Sequence, residues 1–215
     1  FISSCRSINV PINEGLCSKF RKSLYQHNLL TFIHNGNYDA KIIHAFNRAL
    51  SMTRKTPNVI IGGLNFPELY LSLSTILQEN KSIYELTIQN YRLPNGFSQF
   101  INSLQLSKLN SLTFEYVQFS DEMVQYLTQN IPINFNCLTF INSNFDSSQF
   151  KEFDTLFKRD IKQIKICKDD QPMPFDVIPD FFKVSVQSQL KTLSLSYMNI
   201  DIATIFTLLN GVDMQ

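Results

Sequence analysis

Apolar side chains recur along this 215-residue chain in two alternating patterns. The first is short and strand-like. Leu190, Leu193, Leu195, Met198 and Ile200 stand at offsets one, four, six, nine and eleven of a unit. Leu109, Leu112, Phe114, Val117 and Phe119 hold the same offsets, as do Ile83, Leu86, Ile88, Tyr91 and Leu93. Val59, Ile61, Leu64 and Phe66 repeat part of the pattern, Leu138, Phe140 and Phe145 another part, and Ile161, Ile164 and Ile166 a weaker copy. Anchored on the fourth offset, the copies fall at Val59, Leu86, Leu112, Leu138, Ile164 and Leu193, spaced by 27, 26, 26, 26 and 29 residues. Earlier copies at Ile8 and Leu30 fit less closely, with gaps of 22 and 29. Offsets four and six are apolar around a mostly polar offset five, the period-two signature of a half-buried strand. Strands are therefore expected near 7–11, 29–33, 58–62, 85–89, 111–115, 137–141, 163–167 and 192–196.

The second pattern is helical. Phe97, Phe100, Ile101 and Leu104 stand at i, i+3, i+4 and i+7, and Ile202, Ile205, Phe206 and Leu209 have similar helical spacing. Leu73, Ile76 and Leu77 form such a face after Pro67, and Phe150, Phe153 and Phe157 after Asp146. Start signals precede them: Asn65 with Glu68 and Asp146 with Gln149 have capping-box spacing, and Ser120 precedes Asp121 and Glu122. Asn80, Asn130 and Asn210-Gly211 fall where a left-handed helix C-cap would suit them. Each unit is thus a strand, a turn and a helix, and it can bury its apolar face only against neighbouring units.

The strand motif L-x-x-L-x-L-x-x-M-x-I at 190–200 resembles that of leucine-rich repeats. The unit length and the helices are similar to the ribonuclease-inhibitor-like class. The resemblance implies an α/β leucine-rich-repeat solenoid, one horseshoe domain over residues 1–215 with six secure and two less regular units. Its parallel sheet would line the concave side and its helices the convex side. One departure concerns the ninth offset, where the family places Asn to bond turn backbone. Here Leu64, Tyr91, Val117 and Met198 occupy it, with Asn65, Asn90, Asn144 and Asn199 one place away. The asparagine ladder is expected to be displaced or lost.

If offsets four and six are buried, three, five and seven face outward. Offset five then presents Thr31, Thr87, Thr113 and Thr139 with Lys165 and Ser194, a threonine stripe on a face carrying few charges. Flanking it stand Glu85 at offset three and Gln89, Glu115 and Ile141 at offset seven, with Tyr116 and Tyr197 at the edge. These residues (Glu85, Thr87, Gln89, Thr113, Glu115, Tyr116, Thr139, Ile141, Lys165 and Tyr197) make up the candidate partner-binding face. The stripe has a plainer explanation too, because β-branched Thr suits a strand and stacks on its neighbours.

Composition narrows the function. The net charge is +1, with 17% charged residues, which gives no footprint for nucleic acid or an anionic membrane. No apolar run approaches the ~20 residues of a membrane span. Cys5, Cys17, Cys137 and Cys167 are scattered, with no C-x-x-C and no ligand-like spacing to His27, His34 or His44, so reduced thiols in a cytoplasmic protein are expected. The chain contains no nucleotide, esterase or zinc-hydrolase motif, and Gly62-Gly63 and the loop Lys168–Pro174 read as a strand edge and a solvated insertion. No catalytic residue, metal site or cofactor is expected. The repeats begin and end without an evident cap, so the chain is expected to belong to a longer protein or a larger assembly.

These features point to a non-catalytic scaffold that binds protein partners. The irregular spacing is similar to the repeat domain of CARMIL-type actin regulators, which would imply a cytoskeletal setting, with an axonemal assembly equally open. The alternative is a regulator of an enzyme, as ribonuclease inhibitor and the Ran GTPase-activating protein share the repeat class. Activators of that kind present charged or Asn-rich rims, and here Arg92 and Lys108 are isolated.

Overall fold

The computed structural model describes residues 29–33, 58–62, 67–89, 96–132, 135–157, 159, 161–167 and 191–196. They form a mixed α/β structure around an open sheet of seven parallel strands in sequential order. The strands are β1 (Leu29–Ile33), β2 (Asn58–Gly62), β3 (Glu85–Gln89), β4 (Ser111–Glu115), β5 (Cys137–Ile141), β6 (Gln163–Cys167) and β7 (Thr192–Ser196). Four helices stand between them: α1 (Pro67–Glu79), α2 (Phe97–Leu104), α3 (Asp121–Asn130) and α4 (Ser147–Phe157). The span expected at 7–11 and the helix expected over 201–210 lie outside the described residues.

Every strand pairs with its successor in one register. Leu30 pairs with Val59, Val59 with Leu86, Leu86 with Leu112, Leu112 with Leu138, Leu138 with Ile164 and Ile164 with Leu193. The sequence anchors thus lie side by side across the sheet. Register is firm because a slip of one residue would turn each apolar row out of the core. The ladder continues beyond the strands: the backbone N–H groups of Asn110 and Ser111 both donate to the Tyr84 carbonyl, those of Asn136 and Cys137 to Asn110.

The core fills the side of the sheet that carries offsets four and six. Val59, Leu86, Leu112, Leu138 and Ile164 are buried with Ile61, Ile88, Phe114, Phe140 and Ile166. The helices add their expected apolar faces: Leu73, Ile76 and Leu77 from α1; Phe97, Phe100, Ile101 and Leu104 from α2; Val124 and Leu127 from α3; Phe153 and Leu156 from α4. Of the expected α4 set, the side chains of Phe150 and Phe157 lie outside the described ones. Phenylalanines dominate the middle of the core. Phe114 stacks on Phe140 with ring centroids 5.9 Å apart, and Phe119 stacks on Phe145 at 4.9 Å. Edge-to-face contacts of 5.2 and 5.0 Å join the two stacks, Phe119 to Phe114 and Phe145 to Phe140. Offset and T-shaped aromatic pairs contribute beyond the area they bury.

Helix starts follow local chemistry. Helix α2 begins at Gly96, whose φ of 104° lies in the left-handed region that glycine enters without a Cβ clash. At α3 the Ser120 hydroxyl accepts a bond from the Met123 N–H, and Asp121 and Glu122 complement the positive end of the helix. At α4 the capping box is complete: the Gln149 N–H donates to Asp146 at 2.9 Å, and the Asp146 N–H donates to the Gln149 side chain at 3.2 Å. Asn65 lies outside the described residues.

Helix ends differ from expectation. Neither Asn80 nor Asn130 is left-handed; positive φ among described non-glycine residues falls at Tyr116 and Asn142. The Asn80 backbone N–H donates to the Ile76 carbonyl at 2.7 Å, while its side-chain oxygen accepts from the Ser82 N–H and hydroxyl in an Asx turn into β3. At α3 the Asn130 side-chain NH2 donates to the Tyr126 carbonyl. Neighbouring units close the remaining carbonyls: Lys81 reaches Leu106, Gln105 reaches Asn130 at 2.7 Å, and Arg159 reaches Ile131 at 2.6 Å and also Gln129.

The Ser148 hydroxyl, with help from the Gln149 N–H, holds the exposed Asp146 carboxyl below its usual range. A depressed folded-state pKa adds stability above the unfolded value of about 3.9, and that contribution fades as pH falls through the lower folded value. Asp146→Asn keeps a capping oxygen without the charge. The variant is expected to lose this segment of the acid-unfolding curve in a circular-dichroism pH titration, leaving the neutral-pH signal unchanged.

Candidate functional site

The side of the sheet away from the helices carries offsets three, five and seven. Thr87 on β3 lies beside Thr113 on β4, which lies beside Thr139 on β5, so three β-branched side chains form one row. Lys165 continues that row on β6. Thr87, Thr113, Gln89, Glu115, Ile141 and Lys165 are half-buried and Glu85 is exposed. Tyr197 lies outside the described residues.

Thr139 departs from the outward reading. It is only 9% exposed. Thr113 and the longer Lys165 flank it, and the Cys137 sulfur stands 3.6 Å from its hydroxyl. Among the described threonine side chains of the row, Thr87 and Thr113 are therefore the accessible ones, with Thr139 as the packed floor between strands.

Two carboxylates are held in place on this face, each by a carboxamide on the preceding strand. The Asn58 side-chain NH2 donates to Glu85 Oε2 at 2.9 Å, and the Gln89 side-chain NH2 donates to Glu115 Oε2. Both amide–acid pairs sit at matched register positions, Asn58 beside Glu85 and Gln89 beside Glu115. The sequence lists these residues at offsets three and seven, but only the strand register shows that they pair.

At the rim, Tyr116 follows Glu115 directly. The residue is 52% exposed and its φ is 54°. The equivalent residue one repeat later, Asn142, has a φ of 50°. The N–H groups at both positions donate across to the next strand, Tyr116 to Ile141 at 2.9 Å and Asn142 to Cys167 at 2.7 Å. That pairing fixes the left-handed turn. Asn visits this region readily, whereas an aromatic residue does so under strain. Tyr116→Asn is accordingly expected to raise stability by about 1 kcal/mol in urea unfolding. An unchanged or lowered midpoint would show that the Tyr116 backbone carries no strain.

Ser143 ties one turn of the backbone, at the offset where the sequence resemblance implies Asn. It is buried at the ninth offset; its hydroxyl accepts from the Val117 N–H and lies 3.3 Å from the Phe114 and Ile141 carbonyls, which it can reach as donor. A ladder looked for as Asn alone misses it. A small hydroxyl residue at that offset is the signal that finds it. Asn144, one place on, is exposed, and its backbone N–H donates to the Val117 carbonyl.

Among the described residues no group of three or more His, Cys, Asp and Glu stands together to hold a metal ion. No described helix is long and apolar enough to cross a membrane. Cys137 and Cys167 are half-buried on the face. Arg159, whose guanidinium burial lowers its pKa, caps helix α3 and is committed to structure. The site is a polar, hydroxyl-lined surface with two oriented carboxylates and an exposed aromatic rim. No protein-family model and no curated protein sequence matches this chain.

Proposed function

We propose that the chain is a leucine-rich-repeat horseshoe of the ribonuclease-inhibitor-like class, acting as a non-catalytic scaffold that binds a protein partner on its concave sheet face. One observation carries this reading: the sheet face opposite the helices is an in-register surface with hydroxyls at Thr87 and Thr113, rimmed by the exposed and strained Tyr116. An exposed aromatic held at a backbone cost is the kind of feature that marks a contact residue rather than a packing one. Stacked identical units that leave one sheet face open are also how repeat proteins build extended binding surfaces. The resemblance to CARMIL-type repeat domains supports a cytoplasmic, cytoskeletal setting for that partner, either actin-based or axonemal.

The test is a comparison of captured partners. Affinity purification of the intact chain from cell extract, followed by mass spectrometry, is expected to recover a defined set of proteins that Thr87→Lys/Thr113→Lys loses. Both threonines are half-buried on the face, so lysine there obstructs docking without entering the core. Helicity by circular dichroism should be unchanged. Retention of the same partners by a folded double variant would place the contact elsewhere.

A further inference from the structure

We infer that the occupant of this face is a basic segment of a protein partner, its Lys or Arg side chains received by Glu115, Tyr116 and Glu85. The inference rests on the docking role proposed above. Glu85 and Glu115 are oriented on this face without being neutralised. Each accepts a hydrogen bond from a neutral amide of the preceding strand, Asn58 for Glu85 and Gln89 for Glu115. An amide donor orients a carboxylate but leaves its charge in place, whereas a lysine or arginine partner would neutralise it.

The described residues of the surrounding face offer no compensating cation nearby. Among the described residues, offsets three, five and seven of β2, β3 and β4 hold two carboxylates and no basic side chain. Lys165 is the cation of the face among the described residues, two strands from Glu115 and three from Glu85 in the sheet order. Those separations are roughly 10 and 14 Å at the usual strand spacing. They exceed the ~8 Å screening length of physiological salt, so Lys165 does little to offset either charge. This half of the face is thus complementary to positive charge.

The geometry also selects the kind of cation. Glu85 and Glu115 stand four positions apart along the strand direction and one strand apart. That is about 14 Å, too far for one metal ion to bridge and within the reach of two side chains on an extended segment. Tyr116 adds an exposed ring immediately after Glu115. A guanidinium or ammonium can lie against such a ring while its N–H groups meet the carboxylate. Between the two carboxylates, the Thr87 and Thr113 hydroxyls can bond the backbone or polar side chains of the same segment.

A phage-displayed library of random twelve-residue peptides, selected on the intact chain, tests the inference. Synthetic peptides from the enriched clones are titrated into protein carrying labelled threonine methyls, so that binders on the face are those that shift Thr87 and Thr113. Those face binders are expected to carry Lys or Arg well in excess of Asp and Glu. Their affinity is expected to fall at least tenfold in Glu85→Gln/Glu115→Gln, an isosteric pair of changes at residues outside the core. Face binders that are neutral or acidic, or that bind the double variant as tightly as the parent, overturn the basic-segment inference and leave the docking role standing. Selection that yields no peptide shifting either methyl overturns both.

Discussion

Replacing Phe140 by alanine is expected to cost about 3–5 kcal/mol, the largest stability loss from any one residue of the core. The side chain is fully buried on β5 and touches four other rings. Phe114 lies at 5.9 Å in the preceding repeat, Phe119 at 5.8 Å, Phe145 at 5.0 Å and Phe153 of α4 at 5.5 Å. Alanine removes the ring that joins two repeats and a helix, and rigid aromatic neighbours collapse poorly into the space. A loss of that size approaches the whole stability of many domains, about 5–15 kcal/mol. The expected result is a folded fraction that drops sharply at physiological temperature, read by thermal unfolding. Phe140→Leu, which keeps most of the volume, is expected to cost no more than about 1.5 kcal/mol. A small effect of alanine would show that the phenylalanines pack independently instead of as one network.

The second large effect is expected at Gln149, a polar residue only 6% exposed. Its side-chain oxygen accepts the Asp146 N–H, and its NH2 donates to the Phe119 carbonyl at 3.2 Å and to Asp121 at 2.8 Å. One side chain therefore closes the capping box of α4 and ties it to the start of α3. Leucine at this position fits by volume but leaves a carbonyl, an N–H and a carboxylate without these partners. Stranded buried groups cost about 1–3 kcal/mol each, and an N-cap about 1 kcal/mol, with partial relief from water at the exposed end. Gln149→Leu is expected to lose about 2–3 kcal/mol in urea unfolding. Gln149→Glu keeps the accepting oxygen of the box, but its NH2 donor is gone and its charge faces Asp121. It should rescue the helix start and not the link between repeats. If leucine is neutral, the repeats are joined by apolar packing alone.

How much of this was readable beforehand divides along a physical line. The anchors Leu30, Val59, Leu86, Leu112, Leu138, Ile164 and Leu193 are each the second residue of a strand, because burial of alternate side chains is written directly in the apolar pattern. The same holds for Phe97, Phe100, Ile101 and Leu104 on α2, and for the Ser120 and Asp146 caps, whose donors and acceptors lie within one turn. What escaped depends on neighbours distant in sequence. Thr139 is buried because of what Lys165 and Cys137 place around it. The Asn58–Glu85 and Gln89–Glu115 pairs exist only once strands 26 or 27 residues apart are in register. Left-handed backbone at Tyr116 and Asn142 carries no glycine to announce it. Asn80 and Asn130 stand at helix ends without a left-handed backbone: the Asn80 N–H meets the Ile76 carbonyl, and the Asn130 side chain meets that of Tyr126.

Threonine-methyl NMR of the chain, recorded with and without its captured partner, tests the docking role most directly. Thr87, Thr113 and Thr139 report from the sheet face, and Thr75, exposed on α1, reports from the helical side. Binding on the sheet face opposite the helices predicts that the Thr87 and Thr113 methyls shift or broaden at substoichiometric partner, while Thr75 stays in place. A shift at Thr75 with Thr87 and Thr113 unmoved would contradict it.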